Sequence, residues 1–405
     1  MRVEHTVATG KVQGECQPEF LPVWNAFVAN FTEREEVGAS LCIKRHGETV
    51  LDVWGGEAAP DRAWEADTVS VVFSCTKAAT ALAAHHLVDR GLLALQAPIA
   101  EYWPEFAVAG KSKATVAMAL NHSVGVPALR APLEPGGFLQ WDYMVERIAA
   151  EAPFWEPGTR HGYHMATFGW TVGELVRRVA GSSLGQYFRT AIAEPLGIDF
   201  WIGLPEGEEH RVAPIIEYRP SGDEPANDFI RAIREDRESI PALAVLNRGG
   251  LKVNSRAAHA AELGAGGGIT NARGLAGMFA PLADCGGSLL SSATVARMAE
   301  VSSASSCDAT LMIPTRFALG FMKSMDNRYR PSGHIESAVL GASAFGHVGA
   351  GGSIGFADPD SGLSFGYTMN RMGAGLLLNE RGQHLVDAAY TALGYRDSVP
   401  GVWRR

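Results

Sequence analysis

The sequence predicts an α/β protein whose antiparallel sheet is assembled from both ends of the chain and flanked by helices, with a mainly helical region between. Three observations predict it. Two β-prone runs, Ala39 to Arg45 and Thr49 to Trp54, flank His46-Gly47-Glu48 in hairpin fashion. Strand-like runs return in Arg316 to Lys323 and Ser343 to Asn370. Between them, from about Ala78 to Glu300, helical spacing dominates. Strands so distant in sequence share one sheet when the residues between them pack beside it. The expected division is residues 1–72 with 310–405 for the sheet, and 73–309 for the helical part.

Taken in order, Phe20, Val23, Trp24, Phe27, Val28 and Phe31 recur at helical spacing over Pro18 to Phe31. Ala166 to Gly181 has the same apolar period and ends on a capping glycine, and Ser183 to Gly197 repeats that logic. Glu217 to Phe229 is rich in proline and glycine and reads as a loop. Asp358-Pro359-Asp360-Ser361-Gly362 is turn chemistry between two strands. A last helix spans Leu377 to Leu393.

Composition removes several classes. With 405 residues the chain fits two domains, or one domain with an insertion. Its net charge of −9 argues against nucleic acid or an anionic membrane as main partner. The five cysteines, Cys16, Cys42, Cys75, Cys285 and Cys307, form neither a zinc pattern nor a disulfide framework. The opening "MRVEHTVATGKVQGE" lacks the apolar core of an export signal, and no apolar run is long enough to span a membrane. A cytoplasmic location is therefore expected. No metal and no other cofactor is expected: His85 and His86 are adjacent and face differently, and no HExxH occurs. His161 and His164 meet at i, i+3 without a third ligand in view, and are expected to line a pocket. "AGKSK" lacks the first glycine of a P-loop.

The pattern G-x-S-x-G occurs three times, around Ser183, Ser353 and Ser364. A nucleophile elbow needs a strand before it and a helix directly after. None of the three has those flanks, so they read as turn or sheet serines. Ser-x-x-Lys occurs once, at Ser74 to Lys77, after an apolar run ending at Phe73 and before an alanine-rich helix. At i and i+3 the two side chains share a face. Helix-start N–H groups favour a developing oxyanion. Lys77 enters an apolar neighbourhood, and to act as a base its pKa must drop from ~10.4 to near neutrality. Read alone, the tetrad is equally an N-capping serine followed by a snorkelling lysine. Cys75 reads as buried packing.

Two further segments offer partners. "PGTRHGYHMATFGW" puts Tyr163 in a loop that opens a helix, where a phenol relays protons if a neighbouring ammonium lowers its pKa. "FGHVGAGG" puts His347-Val348-Gly349 on a strand followed by small residues that let an acyl group approach. Each also reads as plain packing when taken alone.

In this order the three segments resemble the penicillin-recognising serine hydrolases, which comprise class C β-lactamases, DD-peptidases and family VIII carboxylesterases. That family pattern is Ser-x-x-Lys, a Tyr motif, then Lys/His/Trp-x-Gly on a strand. "GASLCIKRHGETVLDVWGG", "ALNHSVGVPAL", "GAGGGITNARGLAGMF" and "FADPDSGLSFGYTMNRM" also resemble family segments, so the likeness runs from about Val37 to Met372. It implies a β-lactamase/DD-peptidase-like fold with the active site at the junction of its two parts. It implies Ser74 as nucleophile, Lys77 as its base and Tyr163 as second proton carrier. The backbone N–H groups of Ser74 and Ala350 would form the oxyanion hole. His347, Gly349, His164, Trp155 and Phe345 are the candidate substrate-binding residues, with Trp141 and Phe154 near the pocket.

Two departures direct the reaction. The β-lactamase Tyr-x-Asn is here Tyr163-His164-Met165, and the strand lysine that pairs with an antibiotic carboxylate is here His347. A neutral imidazole replaces a fixed cation poorly. Both changes resemble the esterase branch. The expectation is a serine carboxylesterase acting on short-chain esters through an acyl-enzyme. An acyltransferase using the same intermediate, weak β-lactamase or DD-peptidase activity, and an inactive binding scaffold remain open. The expected partner is a small-molecule ester, and a homo-oligomer is compatible with the sequence.

Overall fold

The computed structural model describes residues 1–219 and 227–405. Its main antiparallel sheet runs in the order Arg2–Val7, Gly10–Cys16, Glu48–Ala59, Gly38–Arg45, Leu363–Met369, Ile354–Asp358 and Phe345–Val348, with the short strand Arg62–Ala63 beside Glu48–Ala59. Both ends of the chain therefore meet in one sheet: Gly38–Arg45 pairs with Leu363–Met369 in the register Cys42 to Gly366. Its central strands are buried on both faces, which is why "GASLCI" and "LSFGYTM" show no polar alternation.

One face carries Phe356 and Phe365, stacked at 5.1 Å, beneath the packed pair of helices Leu21–Glu33 and Glu380–Ala392. The other face presents the row Gly355, Gly366 and Cys42 to helix Ala272–Ala283. That helix sits too close for side chains there. A Cβ on Gly366 would come within 2.3 Å of the Ala272 carbonyl oxygen, and one on Gly355 within 2.8 Å of the Phe279 ring. Two of the three G-x-S-x-G matches thus owe their last glycine to helix-on-sheet packing.

The second core gathers around helix Cys75–Asp89, whose Cys75 to Leu87 are all buried. Its alanines combine high helix propensity with small size, as a helix enclosed on every side requires. Helix Thr167–Ala180 packs against it, and Trp141–Ala150 packs on that helix in turn. Gly181 closes the latter in the left-handed conformation, φ 68°.

Several sequence expectations change. The N-terminal segment forms two strands at the sheet edge, which its mostly polar residues conceal. Gly268–Thr270 and Phe200–Ile202, within the helical stretch, join Ser70–Val71 just before it in a small separate sheet. Arg316 to Lys323 is not one strand. Thr315–Phe317 pairs with Ser303–Ser305, the chain turns at Gly320 (φ 90°), and Met322 alone bridges Gly346. In the expected loop Glu217 to Phe229, residues 220–226 lie outside the described residues, while Asp228 and Phe229 open the helix Asp228–Glu235 behind an Asn227 cap. Asn379 likewise starts the last helix at Glu380.

Candidate active site

Ser74 has the flanks that the other serines lack. Strand Ser70–Val71 leads into it and helix Cys75–Asp89 follows directly. Between them Phe73 has φ 44°, a strained conformation for a bulky residue that typically marks a functional turn. The turn is locked at both ends. Val72 N–H donates to Gly268 O at 2.9 Å, and Thr76 N–H to Phe73 O at 2.9 Å. Ser74 occupies the N-cap position, but its Oγ accepts no N–H of the first turn, so its side chain does not serve as the cap that the tetrad alone permitted.

Lys77 is wholly buried, so it does not snorkel. Its Nζ lies 2.7 Å from Met165 O, 2.9 Å from Ala265 O and 3.1 Å from Ser74 Oγ. The two carbonyls only accept. As an ammonium Lys77 donates to all three oxygens; once it has lost a proton, the two carbonyls keep its N–H groups and the lone pair is left to the serine hydroxyl. Burial pushes the Lys77 pKa well below its usual value, and the positive charge of Arg248 lowers it further.

Tyr163 stacks flat on Phe317 at 5.8 Å, and Lys77 Nζ lies 4.7 Å from its ring centroid. Its hydroxyl is buried and faces Ser74 without a hydrogen bond of standard geometry. Burial raises the phenol's pKa, with Ser74 partly offsetting it, so the expected lowering by an ammonium does not occur. Tyr163 is a phenol here and not a phenolate. Asp308 fixes it in place. Its carboxylate accepts the Tyr163 N–H at 3.0 and 3.1 Å, the Thr310 and Leu311 N–H groups at 2.8 Å each, and the Thr315 hydroxyl at 3.1 Å.

Histidines surround the tyrosine. His164 Nε2 accepts Val126 N–H at 3.1 Å and its Nδ1 lies 2.8 Å from Gly162 O, so it is a neutral, fixed tautomer. His122 Nδ1 accepts His164 N–H at 3.1 Å. His347 Nδ1 lies 2.7 Å from Val348 O, and its Nε2 is buried without a partner. Burial lowers the pKa of His347 and of His164 to about 3 each. These rings carry no charge near neutral pH. Among the described residues no group of three His, Cys, Asp or Glu side chains is placed to hold a metal.

The strand Phe345–Val348 is tied to the serine's helix through small groups. Cys75 Sγ lies 3.2 Å from His347 O, and Ser353 Oγ donates to Val72 O at 3.2 Å. A Cβ on Gly349 would come within 2.3 Å of Val72 O, so only glycine permits this approach. The tight turn after it presents Ala350, whose N–H donates to no acceptor among the described residues. Burial pushes the Cys75 thiol up to about 12, which fits packing and not reactivity.

Ser74, Tyr163, Gly349 and Ala350 line one cavity of about 360 Å³. Phe73, Phe138, Trp170, Phe229 and Leu251 supply much of its apolar wall. Of the candidate substrate-binding residues only Gly349 is in that wall. His347 lies behind it against Tyr163, ring centroids 6.0 Å apart. His164 is spent on the tyrosine loop, and Trp155 backs it, donating Nε1–H to Ser123 O at 3.1 Å. Phe345 is buried against Phe321, Trp141 donates to Glu174, and Phe154 lies under Arg130. Sequence reading missed Asp308, Arg248 and the carbonyls of Met165 and Ala265. Asp308 sits in a stretch without any pattern, and carbonyl roles leave no residue signature.

The beta-lactamase family model matches residues 24–389. The chain belongs to the beta-lactamase family. It is 34% identical over 399 residues to the Esterase/beta-lactamase LipL of Mycobacterium tuberculosis, covering 91% of this chain and 85% of that one. It is similar to the crystal structure of a family VIII carboxylesterase, with a TM-score of 0.82, 37% identity, and 94% and 99% of the two chains covered. A penicillin-binding protein homologue from Caulobacter crescentus gives a TM-score of 0.82 at 33% identity, over 94% and 99% of the chains. The beta-lactamase fold, expected from three short motifs, thus extends over nearly the whole chain. Among the described residues no helix is long and apolar enough to cross a membrane.

Proposed function

We propose that this protein is a serine carboxylesterase that hydrolyses short-chain esters through an acyl-enzyme on Ser74. One observation carries the reading: a wholly buried amine is held by two carbonyls with its third contact on the Ser74 hydroxyl 3.1 Å away, where its lone pair lies once the amine is neutral. Ser74 Oγ attacks the ester carbonyl and its proton passes to Lys77 Nζ. The N–H groups of Ser74 and Ala350 stabilise the oxyanion, a contribution of about 3–4 kcal/mol per donor. When the carbon–oxygen bond to the alcohol breaks, Tyr163 gives its proton to the leaving oxygen and is reprotonated from Lys77. A phenol with a raised pKa matches an alkoxide acceptor. Water then attacks the acyl carbon, the acid departs and Ser74 regains its proton.

Similarity to proteins named esterase and carboxylesterase supports this assignment. So does the apolar wall of the cavity, and so does the neutral His347 where an anionic antibiotic would need a cation. The site lies between the two parts of the chain, residues 1–72 with 310–405 and residues 73–309. The deciding experiment is intact mass after mixing with p-nitrophenyl butyrate. A butyryl adduct that disappears in Ser74→Ala, together with loss of turnover, supports the mechanism. Undiminished turnover in Ser74→Ala overturns it. Nitrocefin hydrolysis matching ester hydrolysis would assign β-lactamase activity instead.

A further inference from the structure

Besides the catalytic groups, the cavity beside Ser74 contains two charged or titratable side chains, Arg248 and His259. His259 is already engaged, with Nδ1 2.7 Å from Glu209 Oε1. Arg248 is not. Its Nη2 reaches only the thioether of Met165, at 3.5 Å, and its Nε is buried without an acceptor. No carboxylate pairs with it among the described residues. Arg248 is half-buried, and a guanidinium partly withdrawn from water without a counter-anion is costly unless a ligand offsets it.

The placement is built. Asn247 pins the loop by donating to Leu129 O at 3.0 Å and Ala131 O at 2.8 Å, and by accepting Leu133 N–H at 2.9 Å. Gly249 follows with φ 53°, where a Cβ would come within 2.6 Å of Glu134 O. The contact with Met165 sets the guanidinium beside the residue whose carbonyl holds Lys77.

We propose that Arg248 binds a carboxylate carried by the substrate, so that the esters this enzyme selects are anionic at the end held in the cavity. This rests on the esterase reading and names its substrate class. The cation missing from the strand at His347 is supplied from a different wall. A planar five-donor fork suits a carboxylate bidentately. Binding has a second consequence. Neutralising Arg248 removes a positive charge that disfavours ammonium at Lys77, so the lysine becomes more basic when an anionic ester arrives.

The test compares matched pairs on the full chain: monoethyl adipate with ethyl hexanoate for the acyl side, and O-butyryl glycolate with ethyl butyrate for the alcohol side. The readout is the ratio of kcat/KM for anionic over neutral ester, in the parent, Arg248→Met and Arg248→Lys. The ratio cancels any change at Lys77 common to both esters. In one pair the parent should favour the anionic ester. Arg248→Met should lower that ratio by about 30-fold, as loss of one charge-assisted contact implies, while Arg248→Lys keeps most of it. An equal ratio in parent and Arg248→Met for both pairs overturns the proposal, even if the pH profile moves, because Arg248 would then act on Lys77 alone. Should Arg248→Met not fold, a ratio unchanged in Arg248→Gln overturns it equally. Calorimetry of the same anionic esters with Ser74→Ala separates the two claims. Arg248-dependent binding without turnover in the parent defeats the esterase reading and supports the anion site. Turnover of neutral esters with no Arg248-dependent ratio or binding does the reverse.

Discussion

Two buried clusters, one in the sheet half and one around Ser74, hold their charges differently. In the sheet half, Arg381 is buried but donates to Glu36 at 2.7 Å and to Arg371 O at 2.6 Å, and the Tyr367 hydroxyl donates to the same Glu36 carboxylate. Every partner there has a counterpart. Around Ser74, Lys77 has two carbonyls and a hydroxyl but no carboxylate, and Arg248 has a thioether. Paired charge holds helix Glu380–Ala392 to the strands. Unpaired charge creates a base and a cation that act on something from outside. Lack of a carboxylate does not suffice, since Lys111 and Lys323 are also buried on carbonyls alone; what sets Lys77 apart is the Ser74 hydroxyl at 3.1 Å.

The largest effect that would break the comparison is at the nucleophile. Ser74→Ala should lower kcat for ester hydrolysis by at least about 10⁴-fold with thermal stability retained, checked by initial rates and a melting curve. In the sheet half the expected loss is of stability instead. Arg381→Met leaves Glu36 buried and unpaired and should cost about 3–5 kcal/mol in denaturant unfolding, while the folded fraction keeps its kcat. Adding Glu36→Gln to it should recover part of that loss.

Tyr163→Phe should lower kcat by about 10²–10³-fold on an ethyl ester and much less on a p-nitrophenyl ester, whose leaving group needs no proton. Equal losses on both would remove the leaving-group role.

The smallest effect is linkage at Lys77. Its folded pKa lies below the unfolded value near 10.5, so between the two the unfolded chain binds more protons. Stability therefore rises with pH through that window, by up to about 1.4 kcal/mol per pH unit, and Lys77→Met should flatten this slope in unfolding titrations. The rising limb of kcat/KM should fall in the same window, and replacing Arg248 should move it upward.

What the sequence made legible follows from how each role is encoded. The roles proposed for Ser74, Lys77 and Tyr163 belong to side chains no neighbour can imitate, so their spacing survives in the sequence. The sheet strands of the C-terminal part were legible because Asp358 to Gly362 marks the turn between them. The N-terminal hairpin was not, because an edge exposes most of Arg2–Val7 to water and apolar alternation is lost. The aromatic residues placed at the pocket from sequence were misplaced for a general reason. Trp155 and Phe345 are close to the motifs in the chain, yet a strand or loop sends alternate side chains to opposite sides. Part of the actual wall, Phe138, Phe229 and Leu251, comes from segments far from every motif.

The pairing of Gly38–Arg45 with Leu363–Met369 also governs the order of events during synthesis. More than three hundred residues separate the two partners, so the first hairpin must wait on the ribosome for its neighbour to emerge. The turn bearing Ala350 is likewise made long after Ser74. A chain interrupted before that pairing would thus possess the serine and lysine yet no completed cleft.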